Sequence, residues 1–206
     1  MWISRPRAVL LSLTAATGLV AGVSSPALAA PGDASVVLSA DLTSAQGDGC
    51  AQPAVQLGDG TLSVQAQTGA DSSLLLSGGS ATATECVLEV HLQLDQPARV
   101  RASQYVLTGS VSTTAGTSAG RFFESSLDGT NWYGQRTTWP AGSVGPFAQG
   151  GGSHFDPWSD CATDVDLSFR VGLSLNSATG VSAADSTGLD APNGAVAELD
   201  TDSGAC

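Results

Sequence analysis

The sequence predicts an all-β fold, an antiparallel β-sandwich of the jelly-roll or immunoglobulin-like (Ig-like) type that is stapled by disulfides. Two segments alternate apolar and polar residues with a period of two, which places the apolar side chains on one face of a strand. The remaining short runs are separated by clusters of Gly, Asp, Asn and Pro, and no segment shows a helical stripe. Because antiparallel sheets bury one face and leave the other in water, this pattern favours a sandwich over an α/β fold.

The two clearest strands lie in the middle and in the last third of the chain. Apolar residues recur at every second position from Leu88 to Leu94 and again from Val165 to Leu175. Each segment begins within a few residues of a cysteine, Cys86 or Cys161. We therefore expect the disulfides to tether the starts of strands.

Other segments carry weaker strand patterns, and Gly58-Asp59-Gly60 between two of them is typical of a hairpin turn. The stretch of residues 176–193 is small and polar, which predicts a long mobile loop. The sequence shows no internal repeat. The weaker strands are expected at residues 35–42, 54–57, 61–67, 99–111, 120–126, 132–139 and 195–199.

Residues 1–29 have the three parts of a secretory signal peptide. Arg5 and Arg7 form a basic head, an apolar stretch follows, and Ala27-Leu28-Ala29 provides small residues for cleavage. The apolar stretch is shorter than the roughly 20 residues that a membrane span needs, so we expect no membrane anchor. Cleavage after Ala29 would release residues 30–206 as a single secreted, extracellular domain.

The charge balance excludes several classes of partner. The chain has 19 acidic and 7 basic residues, and all the basic ones are arginines, two of them in the predicted signal peptide. Nucleic acids and anionic membranes are bound through clustered Lys and Arg, which this chain lacks. We therefore expect neither as a partner.

Four cysteines, Cys50, Cys86, Cys161 and Cys206, predict two disulfides. An exported chain meets an oxidising compartment, and structural zinc sites usually need close C-x-x-C pairs that this sequence does not have. Three pairings are open, and we favour the sequence-adjacent one, Cys50 with Cys86 and Cys161 with Cys206.

Several motifs around the cysteines resemble a family of small secreted proteins of unknown function. The resemblance rests on Gly47-Asp48-Gly49-Cys50, on Cys86 opening an alternating strand, on Leu107-Thr108-Gly109 and on Trp158-Ser159-Asp160-Cys161-Ala162. Ala98, Thr108 and Ala162 stand where the family has Gly, Arg and Gly. The resemblance implies a secreted, disulfide-bonded, β-rich domain and brings no known activity or catalytic residues.

The aromatic residues suggest a binding function. Nine of them lie between Phe122 and Phe169, where they serve either as core or as a ligand platform. Trp132, Trp139 and Trp158 are the candidate ligand-binding residues, because flat rings stack against sugar rings while Asp128, Asn131 and Gln135 bond hydroxyl groups. The predicted partner is an extracellular polysaccharide or another cell-wall component. Trp132 and Tyr133 are adjacent in a predicted strand, so at most one of them joins such a platform.

The alternative function is a secreted hydrolase acting on polysaccharide or ester bonds. Gly116-Thr117-Ser118-Ala119-Gly120 matches the G-x-S-x-G nucleophile motif, and Asp128 and His154 follow in the order of an α/β-hydrolase triad. That motif needs a helix after the serine, whereas Arg121-Phe122-Phe123-Glu124 has a strand pattern. We therefore expect a turn between two strands and a protein without catalytic activity. A glycosidase would instead use two carboxylates, from the acids near Cys161 or from Glu89 and Glu124.

Four acidic residues around Cys161 are the candidate metal ligands. Asp156, Asp160, Asp164 and Asp166 supply carboxylates of the kind that calcium prefers, although their spacing is not that of an EF-hand. The other interpretation is solvated acids on a loop and a strand edge. We expect no cofactor. If calcium binds to this protein, we expect it to bind at these four residues.

Overall fold

The computed structural model describes residues 35–66, 72–79, 82–152 and 156–206. The predicted signal peptide, residues 1–29, and the predicted triad residue His154 lie outside these ranges. The described residues contain strands and no helix, and so no helix that is long and apolar enough to cross a bilayer. The predicted all-β class is confirmed.

The described residues contain eleven strands. They are β1 (Val37–Gln46), β2 (Ala54–Gly58), β3 (Thr61–Gln65), β4 (Ser72–Ser77), β5 (Ala83–Ser112), β6 (Thr117–Ser126), β7 (Tyr133–Trp139), β8 (Val144–Gly152), β9 (Ala162–Ser177), β10 (Ser186–Asp190) and β11 (Ala195–Asp202).

Strand β5 belongs to both sheets of the sandwich. Its first half lies between β1 and β9 in the first sheet, whose order is β1-β5-β9-β6-β7. Its second half lies in the second sheet, with β11 and β10 on one side and β8 on the other. Strands β3 and β2 continue the second sheet from β11, and β4 continues it from β10. Every pairing among the described strands is antiparallel, as the sequence predicts.

The core lies between the inner faces of the two sheets. Tyr105 of the second sheet packs edge-on against Phe123 of the first, with ring centroids 5.5 Å apart, and Phe123 stacks on Phe169 at 5.9 Å. The alternating residues from Leu88 to Leu94 are all buried. Each such side chain contributes about 2 kcal/mol on burial. The periodicity of two therefore identified the inner face correctly.

Both disulfides have the favoured pairing. Cys50–Cys86 joins the segment before β2 to the start of β5, and Cys161–Cys206 joins the end of the chain to the start of β9. No free cysteine remains among the described residues, which include all four. The prediction that disulfides tether strand starts is confirmed.

The prediction of one long loop at residues 176–193 is wrong. β9 continues to Ser177 and β10 occupies Ser186–Asp190, where Leu189 is the one large apolar residue that a strand pattern could have revealed. The turn between them is held by the buried carboxylate of Asp185, which accepts hydrogen bonds from the backbone N–H groups of Thr114 (2.6 Å) and Ser182 (2.8 Å). These hydrogen bonds lower the pKa of Asp185 to about 2, and the bond from the Thr114 N–H has the largest effect.

The other differences from the sequence prediction concern β4, β5 and β8. Residues 88–94 and 99–111 were predicted as separate strands and form parts of one strand, β5. β4 was not predicted, and it contains three consecutive leucines rather than an alternation of apolar and polar residues. The glycines at positions 150–152 belong to β8, where Gly150 pairs with Val106 and Gly151 with Tyr105. The Gly58-Asp59-Gly60 hairpin between β2 and β3 is confirmed, with Gly60 at a φ of 72°.

Candidate functional site

Three adjoining depressions surround the loop that follows β6, and all three are lined by Leu127. Their volumes are about 470, 330 and 320 Å3. We call them together the Leu127 groove. Its remaining lining residues are Thr43, Glu89, Asp128, Gly129, Asn131, Tyr133, Pro157, Trp158, Ser159, Asp160, Ala162, Asp164, Val165, Asp166, Leu167 and Ser168.

Asp128 fixes the shape of the loop at the centre of the groove. Its carboxylate accepts hydrogen bonds from the backbone N–H groups of Asn131 and Thr130, both at 2.8 Å, and from the Asn131 side-chain amide at 2.6 Å. This is the local turn chemistry typical of Asp, and Gly129 supplies the positive φ that the turn needs. The bonds hold the pKa of Asp128 well below its usual range, with the Asn131 N–H as the largest cause.

Two aromatic residues line the groove. Trp158 lies in the depression next to Asp160, and Tyr133 lies in the depression next to Asn131. The guanidinium of Arg101 lies 4.4 Å from the centroid of the Trp158 ring, and Arg101 is itself held by Asp200 through two bonds of 2.9 and 3.1 Å. Trp158 is therefore fixed in orientation by an arginine that cannot easily move.

The groove is strongly acidic. Glu89, Asp128, Asp160, Asp164 and Asp166 line it, and no arginine is among its lining residues. His91 lies beside it on β5, with Nδ1 2.8 Å from Asp166 and Nε2 3.4 Å from Asp164. The hydrogen bond to Asp166 is the main reason that the pKa of His91 is raised.

The structure separates the three predicted ligand-binding tryptophans. Trp158 lines the Leu127 groove, whereas Trp132 packs against Arg170, and Trp139 packs against Phe147 and Arg121. Tyr133 lines the groove and its neighbour Trp132 does not, which agrees with the expectation that at most one of the two joins a platform. The sequence analysis did not find Leu127 and Pro157, which also line the groove. The Asp128-Gly129 turn signal was the clue to this loop.

Of the predicted triad, the two residues that the structure describes, Ser118 and Asp128, are not brought together. Ser118 lies near the start of β6 and donates a hydrogen bond to the backbone oxygen of Asn176 at 3.3 Å. Asp128 follows the other end of the strand, about 30 Å away at the usual rise per residue. A turn at residues 115–116 precedes β6, which begins at Thr117, so four of the five residues of the G-x-S-x-G segment lie in the strand and the expected turn comes earlier.

The predicted metal ligands are divided between two environments. Asp160, Asp164 and Asp166 line the groove, whereas Asp156 is buried and bonds the hydroxyl groups of Tyr105 and Ser125. Burial, and then the bond to Asp156, raises the pKa of Tyr105. Within the described ranges, no three His, Cys, Asp or Glu side chains are grouped so that they could hold a metal ion.

Glu89 and Glu124, the other two carboxylates named for a glycosidase, lie in different environments. Glu124 is buried on β6 in bonds with Arg136 and Arg170, whereas Glu89 lies at the groove and accepts a bond from Ser44 at 2.8 Å.

Comparisons with known proteins give one slight likeness. No family model matches the chain, and no curated protein matches it significantly. A solved structure described as TmCBM61 in complex with beta-1,4-galactotriose aligns over 77% of this chain and 86% of that chain, with 12% sequence identity and a TM-score of 0.29. At that score the likeness assigns neither a fold nor a ligand to this chain.

Proposed function

We propose that this protein is a non-catalytic extracellular module that binds a polysaccharide in the Leu127 groove. The observation that carries the proposal is that Trp158 and Tyr133 line the same groove as Asn131 and five carboxylates. A sugar ring has an apolar face that packs on an aromatic ring and hydroxyl groups that donate to carboxylates. The groove offers both kinds of contact side by side.

The charge of the groove narrows the class of polysaccharide. With five carboxylates and no arginine among the lining residues, the groove repels an anionic polymer at short range. We therefore infer a neutral polymer, or one with amino groups, as the ligand.

The acid at the centre of the groove is not suited to general acid catalysis. A glycosidase needs a general acid whose pKa is raised so that it keeps its proton at neutral pH. Asp128, at the centre of the groove, has the opposite shift because three N–H groups stabilise its charged form. Ser118 is outside the groove altogether.

The test is a pull-down on insoluble chitin, cellulose and peptidoglycan with three single variants. We expect retention of the wild-type protein on at least one polymer and about tenfold weaker binding for Trp158→Ala and Tyr133→Ala, since each removes a stacking ring. Trp132→Ala is the matched control, because Trp132 is a tryptophan outside the groove. The proposal would be contradicted if none of the three polymers retained the wild-type protein, or if Trp132→Ala weakened binding as much as Trp158→Ala and Tyr133→Ala.

The same samples distinguish binding from hydrolysis. We expect no release of soluble sugars from a retained polymer during prolonged incubation. Release that disappears in a Glu89→Gln variant would instead establish the hydrolase alternative.

A further inference from the structure

The second sheet turns one face into the core and the other face outward. Leu74, Leu107 and Leu189 lie on the inward face and are buried. The outward positions alternate with them along four neighbouring strands, in the order β4-β10-β5-β8. We call these outward residues the uncharged face, because none of them is acidic or basic. They are Leu75, Ser77, Val106, Thr108, Ser110, Ser112, Val144, Pro146, Ala148, Gly150, Ser186 and Gly188.

The lack of charge on this face contrasts with the acidity of the chain. The chain has 19 acidic residues and 7 basic ones. The outer side of the first sheet carries several of the acids, among them Glu89, Asp164 and Asp166. Asp190 follows at the end of β10, at the border of the uncharged face. Two copies of so acidic a chain repel each other least where both surfaces are uncharged.

Exposed apolar side chains are concentrated on the uncharged face. Of the five large apolar residues that are exposed among the described residues, three lie on it: Leu75 (57%), Val106 (36%) and Val144 (76%). Pro146 and Ala148 continue the apolar strip from Val144 along the outward side of β8. A surface that exposes grouped apolar side chains gains free energy when another surface covers it.

The uncharged face is complementary to itself. Leu75, Gly188, Ser110 and Pro146 are successive ladder partners across the four strands, so small residues lie in the middle and larger ones at both sides. A two-fold axis between two copies, parallel to their strands, places β4 of one copy over β8 of the other. Leu75 of each copy then lies on the strip of Pro146 and Val144 of the other. The small residues in the middle allow the two sheets to approach to the usual distance of about 10 Å.

The area of the face is sufficient for a weak dimer. Four strands spaced by about 4.8 Å, over residues 106–112 of β5 at about 3.4 Å per residue, cover about 450 Å2 in each copy. Two copies therefore bury about 900 Å2 together, which is close to the roughly 1,000 Å2 at which specific interfaces begin. An interface of this size supports a dimer that dissociates readily on dilution.

We propose that the uncharged face is the interface of a reversible homodimer, in which a second copy of this chain packs its own uncharged face on the first. Leu75 and Val144 are the apolar anchors of the contact, and each contact occurs twice because of the two-fold symmetry. No residue of the uncharged face lines the Leu127 groove. Dimerisation is therefore measured without any polymer, and the failure of either proposal leaves the other standing.

Sedimentation equilibrium of the purified protein over a range of concentrations and salt tests the dimer. We expect a monomer–dimer equilibrium with a dissociation constant of about 10–100 μM, since interfaces near the lower size limit are weak. Added sodium chloride should strengthen the dimer, because salt screens the repulsion between two acidic copies and the interface contains no ion pair for salt to weaken.

Three aspartate variants complete the experiment. Leu75→Asp and Val144→Asp each place a carboxylate in both halves of the interface and should weaken dimerisation at least about tenfold. Both side chains are exposed, so these substitutions leave the core unchanged. Leu38→Asp is the matched control, because it adds the same charge at a leucine of β1 in the first sheet that is 59% exposed. We expect its dissociation constant to stay within about twofold of the wild-type value.

Four results would overturn the proposal. The first is a protein that stays monomeric up to about 500 μM, several times the weakest dissociation constant expected. The second is a dimer that forms equally well in Leu75→Asp and Val144→Asp. The third is a loss in Leu38→Asp as large as that in Leu75→Asp. The fourth is a dimer that dissociates when salt is added, since it would be held by ion pairs outside the uncharged face.

Discussion

Every tryptophan of the described residues has a guanidinium against its ring. Arg170 contacts Trp132, Arg121 contacts Trp139, and Arg101 contacts Trp158. The sequence left open whether these rings are core or ligand platform, and none of the three is fully buried or fully exposed. An arginine covers part of each ring, so at most the remaining face is free to contact a sugar.

His91 provides a test of the electrostatics beside the groove. On the outer face of the first sheet it is flanked by Asp164 and Asp166 of β9, and it pairs with Asp41 of β1 in the ladder. We expect its pKa, measured by proton NMR, to lie above the ordinary 6.5 and to fall in Asp166→Asn, which removes the strongest bond. Asp190→Asn, at the end of β10, is the control and should leave the pKa unchanged.

The same shift determines how the stability depends on pH. Because the folded pKa of His91 is raised, its contribution to stability is fully present below about pH 6.5 and is lost as the pH rises through the folded value. The difference in urea midpoint between wild type and His91→Gln should therefore shrink above that value. A difference that grows with pH would show that the imidazolium is not stabilised by the aspartates.

At the scale of elements, the 30-residue strand β5 organises the sandwich. Its pairing with β9 shifts register between Gln93 and Ala98, at the corner where the strand leaves one sheet for the other. Pro97 lies in that corner, and a proline, which has no N–H to donate, is tolerated where the ladder is interrupted. The sequence alone shows a proline between two apolar patterns, which reads as a break between two strands. Only the packing of two sheets reveals a continuous strand.

Gly109 tests how closely β5 and β10 pack. A Cβ at this position would collide with the backbone oxygen of Gly188 and with the ring of Phe147. Because backbone atoms cannot easily move away, we expect Gly109→Ala to lower the free energy of unfolding by about 2–3 kcal/mol in urea titrations.

Gly150→Ala is the matched control for Gly109→Ala. Gly150 lies in the neighbouring strand β8, and its Cβ would meet only Val106 at an ordinary 3.9 Å. We expect a change of less than about 0.5 kcal/mol, as is usual for a substitution without strain. Equal losses in the two variants would contradict the close approach of β10 to β5.

At the scale of the whole molecule, one disulfide holds the segment between β1 and β2 to the start of β5, and the other holds Cys206 to the start of β9. Their sequence separations are 36 and 45 residues. In the chain-entropy model, loops of that size each contribute about 4 kcal/mol. We expect the free energy of unfolding, measured in urea titrations, to fall by about 4 kcal/mol in each double variant, Cys161→Ala/Cys206→Ala and Cys50→Ala/Cys86→Ala.

Thiol labelling provides the independent check of the disulfide pattern. Under denaturing, non-reducing conditions the wild-type protein should show no reactive thiol, since none of the four cysteines is free. Labelling of two or four cysteines would rule out the pattern.

The sequence by itself determined the all-β class and the inner faces of β5 and β9. These follow from local features, because the strand period and the turn residues are visible in one dimension. It left three cysteine pairings open, and the structure has the one that we favoured. The tertiary structure decided which of the scattered side chains meet. Trp158 and Tyr133 are 25 positions apart and share a groove only because β6 and β9 are neighbours in the first sheet. Ser118 and Asp128 are ten positions apart and are separated because an extended strand lies between them.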